Sequence, residues 1–201
     1  MNLSMVILAG GTLRKPGSVR LRALLPLKEK PIILWTLEAL SRFPDEIIVA
    51  TAHGWVDELK RRLPRRVRVV EDELVGFGAL GGMHVGARAA RGRWMAVSPS
   101  EAPFSSPEIY KLLLREARGK KGAVPHSGGV RRYLHAVYAR DALLARIEKA
   151  FLKGESEVSA ALKGMGLAVV GPRKLARVDN WARSFVVLKS MDAIRAVEAR
   201  L

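Results

Sequence analysis

The 201-residue sequence contains no cysteine. Disulfide bonds, cysteine-ligated zinc and iron–sulfur clusters are therefore excluded, and the histidines at 53, 84, 126 and 135 lack metal-ligand spacing. No apolar run approaches the ~18 residues of a membrane-spanning helix. Residues 1–8 lack the basic segment that opens a signal peptide. We therefore expect a cytoplasmic protein without a membrane partner.

Acidic side chains are few, 19 against 35 basic ones, which gives a formal net charge of +16 and a pI near 10.9. The apolar fraction of 49% nevertheless indicates a globular chain. The positive excess has two interpretations, a charged surface as in heat-adapted proteins or an anionic partner such as a nucleotide. Nucleic acid is not the expected partner, because neither paired Cys/His ligands nor an aromatic RNP strand is present.

Hydrophobic patterning alternates between short apolar runs and helical spacing. The runs that predict strands in the first half are residues 5–8, 46–51, 67–70 and 94–98. Apolar residues at helical spacing follow Pro31, cover residues 56–63 and 79–90, and recur after Ser106. Serine is a residue suited to cap a helix. This alternation predicts an α/β fold with a mainly parallel central sheet. The length fits a single domain.

The second half of the chain continues the same pattern. Strands are predicted at residues 134–139, 167–170 and 185–188. A helix after the first of them is expected to be capped by Asp141 and to turn Leu144, Ile147 and Phe151 inward. Ser190 is expected to cap a final helix.

A glycine pair and a group of cations follow the first predicted strand. Gly10-Gly11 lets backbone N–H groups approach an anion with no side chain between. Four cations come next, at positions 14, 15, 20 and 22. The segment has neither the P-loop pattern nor the G-x-G-x-x-G spacing, so it is either a phosphate-binding turn or an ordinary strand-to-helix turn.

Two acidic residues follow other strands. Asp72 ends the third predicted strand and precedes a glycine-rich stretch at 76–82, and Glu101 follows the fourth strand between prolines. Ligands bind beyond the carboxyl ends of parallel strands, so Asp72 and Glu101 are expected to converge with Gly10-Gly11. Magnesium is usually held by one or two carboxylates plus substrate phosphates, a role open to Glu101. The alternative is that Glu101 is a surface acid.

The order of these motifs resembles the molybdenum cofactor guanylyltransferases and their wider nucleotidyltransferase superfamily. The family opens with L-A-G-G, a basic loop, A-L-L-P-L and G-K-P; here residues 8–11 read LAGG, 23–27 read ALLPL and 29–31 read EKP. The family's Asp before G-P-L-x-G matches Asp72 before GALGG at 78–82, and its C-D-M-P-F matches SEAPF at 100–104. Later segments such as HAVY at 135–138 match as well.

The resemblance implies a Rossmann-like, three-layer fold of the nucleotide-diphospho-sugar transferase type, in one domain over residues 1–201. Residues 1–105 would form the nucleotide-binding half and 106–201 the acceptor-side half. The implied reaction transfers GMP from GTP to molybdopterin, with Mg²⁺. The residues implied to bind the nucleotide are Leu8, Ala9, Gly10, Gly11, Arg22, Asp72 and Gly78. Arg14, Arg22 and Glu101 would be catalytic, with Glu101 as the metal ligand.

Three departures from the family pattern affect these implied roles. Arg22 replaces a lysine, and Glu101 replaces the metal-binding aspartate. Val186 and Leu188 replace two asparagines of a C-terminal N-x-N motif. The sequence therefore leaves three alternatives open: a non-catalytic nucleotide or cofactor binder on the same fold, a nucleotidyltransferase for another phosphorylated acceptor or, from the charge of +16 alone, a basic nucleic-acid-binding protein.

Overall fold

The computed structural model describes residues 2–74 and 76–200, with the backbone alone at Lys15. The strands are β1 Leu3–Leu8, β2 Thr12–Lys15, β3 Ser18–Leu21, β4 Pro26–Leu27, β5 Lys30–Pro31, β6 Glu46–Ala52, β7 Arg68–Asp72, β8 Trp94–Pro99, β9 Gly122–Ser127, β10 Val130–Arg131, β11 Ala136–Ala139 and β12 Ala168–Val170. The α-helices are α1 Ile32–Leu40, α2 Val56–Arg62, α3 Gly78–Ala89, α4 Pro107–Glu116, α5 Arg140–Phe151, α6 Val158–Ala161, α7 Pro172–Leu175 and α8 Met191–Glu198. Short 3₁₀ helices cover Arg22–Leu24 and Trp181–Phe185.

The central sheet runs in the order β10-β9-β11-β8-β1-β6-β7, and β12 pairs with β9. β1 pairs in parallel with β6 and β8, and β7 pairs in parallel with β6. β11 is antiparallel to both of its neighbours. The prediction of an α/β fold with a mainly parallel sheet is confirmed. β1 is the central strand of this parallel part, so its carboxyl end lies between those of β6 and β8.

Helices cover both faces of the sheet. Along β1, Met5 belongs to the core on one face and Val6 to the core on the other, because successive side chains alternate. α1 and α4 pack on the Met5 face, whereas α3 and α5 pack on the Val6 face. All six residues of β1 are buried, as expected for a parallel strand covered on both sides. The fold therefore has the predicted three layers.

Two glycines let α3 approach the sheet closely. A Cβ on Gly86 would lie 2.5 Å from Val6 Cγ1, and one on Gly82 would lie 3.1 Å from Leu8 Cδ2. Larger side chains would push the helix outward, away from β1. The glycines at these positions thus allow α3 to pack closely on β1, with the start of the helix next to the end of β7.

Serine caps are found where the sequence predicts them. Ser106 Oγ accepts a hydrogen bond from Glu108 N at 3.2 Å, and Ser190 Oγ accepts one from Ala193 N at 3.2 Å. The prediction that Asp141 caps α5 is wrong. α5 starts at Arg140, so Asp141 lies in its first turn, where its negative charge still favours the helix N-terminus.

One strand boundary and one helix orientation also differ from the predictions. The strand expected at 134–139 begins at Ala136, since the preceding residues form a turn in which His135 N donates to Arg132 O. On α5, Leu143 is fully buried and Leu144 only partly, because the helix is rotated slightly from the expected orientation.

The strand predicted at 185–188 is absent from the described structure. A 3₁₀ helix ends at Phe185, and residues 186–189 have no regular structure. The apolar run has a different cause: Leu188 is buried in a small core with Leu27 and Ile194, which joins α8 to the β4–β5 hairpin. Among the described residues, no helix is long and apolar enough to cross a membrane.

Candidate functional site

The turn after β1 carries two free backbone donors. Leu8 O accepts from Ser100 N at 3.0 Å, and Ala9 N donates to Ala50 O at 2.7 Å, so the strand is tied to both neighbours up to this point. Within the described residues, no acceptor is paired with the N–H groups of Gly10-Gly11. Unpaired N–H groups at the carboxyl end of a central strand are suited to bind an anion.

Arg22 lies across this turn. β2 and β3 form a hairpin that returns the chain, and Arg22 N then donates to Gly11 O at 2.9 Å. A Cβ on Gly11 would lie 2.6 Å from Arg22 Cζ and closer still to Nη2. A side chain at position 11 would therefore displace the guanidinium that packs there. The hairpin itself was not anticipated from the sequence, which suggested only a turn.

A partly buried ion pair connects this turn with the end of β8. Arg22 Nε donates to Glu101 Oε1 at 2.8 Å, and Glu101 Oε2 accepts from Ser100 Oγ at 2.8 Å. Glu101 is only 4% exposed, which contradicts the alternative that it is a surface acid. Its backbone O accepts from Leu188 N at 2.9 Å, so the C-terminal segment is fastened to the same residue.

Sequence reasoning missed two residues that support Glu101. Ser100 is buried, and its backbone O accepts a hydrogen bond from Thr36 Oγ1 at 2.8 Å. This bond ties α1 to the end of β8. The side-chain hydroxyl of Ser100 donates separately to Glu101. The only signal in the sequence is a polar residue at 36 on the apolar face of a helix.

Asp72 lies at the same edge of the sheet, two strands from β1. It is the last residue of β7 and is paired in register with Ala52 at the end of β6. Its carboxylate accepts from Leu74 N at 3.0 Å. A Cβ on Gly81 would lie 2.8 Å from Oδ1 and closer to Oδ2, so Asp72 rests on the first turn of α3. Gly78, the first residue of α3, is exposed beside it.

Burial raises the pKa of the Asp72 carboxyl above its ordinary value. The hydrogen bond from Leu74 and the nearby His84 oppose this effect. A partly desolvated carboxylate held at the end of a strand has an increased demand for hydrogen-bond donors, which a ligand can supply.

The structure brings Arg22 into contact with both Gly11 and Glu101, with Asp72 and Gly78 along the same edge of the sheet. Arg14 is placed differently. It lies on β2 opposite Val19 and is exposed, and its side chain makes no hydrogen bond or ion pair within the described part of the chain. The side chain of Lys15 lies outside the described structure.

A second polar group lies in the second half of the chain. His135 precedes β11, which pairs with the end of β8, and it is 5% exposed. Its ring packs edge-on against Phe185 at 5.5 Å between centroids. Neither His135 Nε2 nor the buried Ser184 Oγ has a hydrogen-bond partner in the described part of the chain. Sequence reasoning considered His135 only as a metal ligand and missed this environment.

Burial lowers the pKa of His135 to about 3, and the positive charge of Arg132 acts in the same direction. The imidazole is therefore neutral at physiological pH. One more cation borders this region: the guanidinium of Arg183 lies 4.6 Å from the ring centroid of Phe104.

The described residues contain no group of three or more His, Cys, Asp or Glu side chains that could hold a metal ion. Glu101 is the carboxylate at the Gly10-Gly11 turn. One carboxylate fits a magnesium ion that takes its remaining ligands from substrate phosphates and water. These residues therefore fit a metal ion that is shared with a phosphorylated ligand.

Comparison with known proteins identifies the family. The MobA-like NTP transferase domain matches residues 5–169. A probable molybdenum cofactor guanylyltransferase from Methanosarcina mazei is 32% identical over 196 residues, which cover 94% of this chain and 87% of that protein. Another from Chloroflexus aggregans is 30% identical over 207 residues, which cover 100% of this chain and 96% of that protein.

A solved structure agrees with the fold. The crystal structure of molybdopterin-guanine dinucleotide biosynthesis protein A from Archaeoglobus fulgidus matches with a TM-score of 0.80 at 24% identity, covering 98% of this chain and 97% of that one. The predicted nucleotide-diphospho-sugar transferase type of fold is thereby confirmed. The chain therefore belongs to the MobA-like NTP transferase family, as its motif order predicts, and is a nucleotidyltransferase.

Proposed function

We propose that the protein transfers GMP from GTP to the phosphate of molybdopterin and releases pyrophosphate. The observation that supports this proposal is the turn at Gly10-Gly11, whose N–H groups have no partner among the described residues and whose Gly11 lies against the guanidinium of Arg22. The names of the relatives from Methanosarcina mazei and Chloroflexus aggregans support the same reaction. In this proposal residues 1–105 bind the nucleotide, and residues 106–201 complete the acceptor side.

The nucleotide is proposed to lie along the carboxyl edge of β1, β6 and β7. Residues Leu8 to Gly11 would hold the phosphates, and Gly78 at the start of α3 would border the nucleotide. Asp72 would receive the guanine, because a carboxylate can accept from two neighbouring N–H donors of that base. Asp72 at the end of β7 lies three strands from Glu101 at the end of β8, and this distance would separate the base from the phosphates along the edge.

The proposed chemistry needs no protein nucleophile. A phosphate oxygen of the acceptor is already ionised and attacks the α-phosphorus, while the O–P bond to pyrophosphate breaks. The protein then has to align two anions and stabilise the charge that develops between them. Arg22 and the Gly10-Gly11 N–H groups would do this at the turn, and Arg14 would reach the leaving group from the exposed hairpin.

Glu101 would hold Mg²⁺ together with phosphate oxygens of the nucleotide. The ion would supply charge neutralisation on the phosphates. The buried position of Glu101 supports this assignment, since a desolvated carboxylate attracts a cation more strongly than an exposed one does.

Calorimetry with GTP, CTP and ATP, each with Mg²⁺ and with EDTA, tests the nucleotide. We expect GTP to bind most tightly. Pyrophosphate release is then measured with molybdopterin and with other phosphorylated acceptors. An absence of GTP binding at millimolar concentration in both buffers would refute the proposal, whereas turnover with a different acceptor would correct its second substrate.

A non-catalytic binder on the same fold is the second candidate. Leu188 stands where the family pattern has a polar residue, and its side chain is buried with Leu27 and Ile194. Val186 is 37% exposed and also apolar. This candidate predicts GTP binding without pyrophosphate release from any acceptor, and it predicts that Glu101→Ala leaves GTP affinity nearly unchanged.

A further inference from the structure

The contact between Arg22 and Glu101 is made through the inner nitrogen of the guanidinium. Nε donates to Glu101 Oε1, and within the described residues the two terminal nitrogens of Arg22 have no hydrogen-bond acceptor. Nη2 lies against Gly11, whose own N–H is also free. The carboxylate thus fixes the side chain and turns its outer edge toward the turn.

Glu101 is itself held in place. Its side chain is 6% exposed, against 28% for that of Arg22, and Ser100 Oγ donates to its second oxygen. A buried carboxylate needs partners on both oxygens, so its position is determined by the surrounding structure. Arg22 is attached to a rigid group, although arginine side chains otherwise have many rotamers.

Arginine and glutamate at these two positions are physically matched. A guanidinium has separate donors on Nε and on its terminal nitrogens, so it can pair with a carboxylate and present a further edge to an anion. A lysine at 22 has all three of its donors on one nitrogen, so it cannot present one set of donors to Glu101 and a separate edge to the Gly10-Gly11 turn. Arg22 and Glu101, which both depart from the family pattern, therefore act as a pair.

We infer that Glu101 is a positioning residue for Arg22, and that the Arg22–Glu101 pair and the Gly10-Gly11 N–H groups form a polyphosphate site that works without a divalent cation. This inference rests on the proposed function and deepens it, because it assigns Glu101 a task in the metal-free protein. The ligand class is a nucleoside triphosphate, and inorganic tripolyphosphate presents the same chemistry.

Binding of GTP and of tripolyphosphate is measured in EDTA for the wild type and for Glu101→Ala. Removing a negative charge beside an anion should strengthen binding if charge alone mattered. Positioning predicts the opposite sign: we expect at least about tenfold weaker binding in Glu101→Ala. Glu101→Gln keeps an acceptor for Arg22 Nε and is expected to stay within about threefold of the wild type.

Three further variants test whether Glu101 acts through Arg22. Arg22→Lys keeps the charge and is expected to weaken metal-free binding about tenfold. In a double-variant cycle, Arg22→Ala with Glu101→Ala should bind no more weakly than Arg22→Ala alone. Glu58→Ala is the matched control, because it breaks a surface pair with Arg62 on α2, and it should change nothing.

Failure of this inference and failure of the proposed function would give different binding results. Metal-free affinity in Glu101→Ala that equals or exceeds that of the wild type would overturn the inference. Should that variant not fold, as judged by its thermal unfolding, unchanged binding by Arg22→Lys would overturn it instead. A wild type that binds GTP with Mg²⁺ but not in EDTA refutes only the inference, whereas binding in neither buffer refutes the proposed function.

Discussion

Single glycines at the site are explained by charged side chains of the protein itself. The sequence suggested that Gly11 and the glycines at 78–82 lie close to a ligand. In the structure, Gly11 is covered by Arg22 and Gly81 by Asp72, both within the distance at which a Cβ would collide. Glycine therefore serves the ligand indirectly, by leaving room for the charged groups proposed to bind it.

Gly81→Ala is predicted to weaken GTP binding with little change in stability. The added Cβ would displace the Asp72 carboxylate, which is the movable partner in that contact. The variant also gains roughly 1 kcal/mol of helix propensity in α3, which offsets part of the disturbance. We expect about tenfold weaker GTP affinity by calorimetry and a melting temperature close to that of the wild type.

Gly171→Ala is the control for this prediction, because nothing lies within 4 Å of a Cβ at that position. It should leave GTP affinity unchanged. If Gly81→Ala binds GTP as the wild type does, Asp72 has no part in holding the base.

At the scale of elements, the long strands and helices were predictable and the short ones were not. β1, β6 and β8 are apolar and continuous, so the sequence indicates them directly. β2 and β3 have four residues each and carry charged side chains that conceal their alternation. The apolar run at 185–188 failed as a strand because Leu188 is buried by α8 and not by the sheet.

The contact between α3 and β1 leads to a stability prediction. Gly86→Ala places a Cβ 2.5 Å from Cγ1 and 3.0 Å from Cγ2 of Val6, which is fully buried and has no space to rotate. Overpacking of this kind costs about 1–3 kcal/mol, more than the roughly 1 kcal/mol of helix propensity gained. We expect a lower free energy of unfolding in urea.

Val6→Ala should partly rescue Gly86→Ala, because it removes the methyl groups that collide with the new Cβ. The interaction energy between the two substitutions is read from a double-variant cycle. Additive effects of the two substitutions would contradict the collision as the cause.

At the scale of the whole molecule, the sequence predicted which strand ends meet but not which side chains touch. Parallel strands end at one edge, so the approach of Gly10-Gly11, Asp72 and Glu101 follows from topology. Arg22 and Glu101 are 79 positions apart, and no periodic pattern links them. The environment of His135 depends on Phe185, which is brought there by a segment of irregular structure.

The pH dependence of folding is predicted from His135. Its pKa is lowered to about 3 in the folded protein, against about 6.5 in an unfolded chain. Between these values the unfolded state binds the extra proton, so the free energy of unfolding falls as the pH is lowered. The loss from this residue between pH 7.5 and 5 should be about 2 kcal/mol.

Urea unfolding of His135→Asn across the same pH range measures this contribution, because asparagine does not titrate. The raised pKa of Asp72 acts in the opposite direction, so the difference between wild type and variant is compared at each pH. Parallel profiles for the wild type and His135→Asn would mean that His135 is charged, or reaches solvent, in the folded protein.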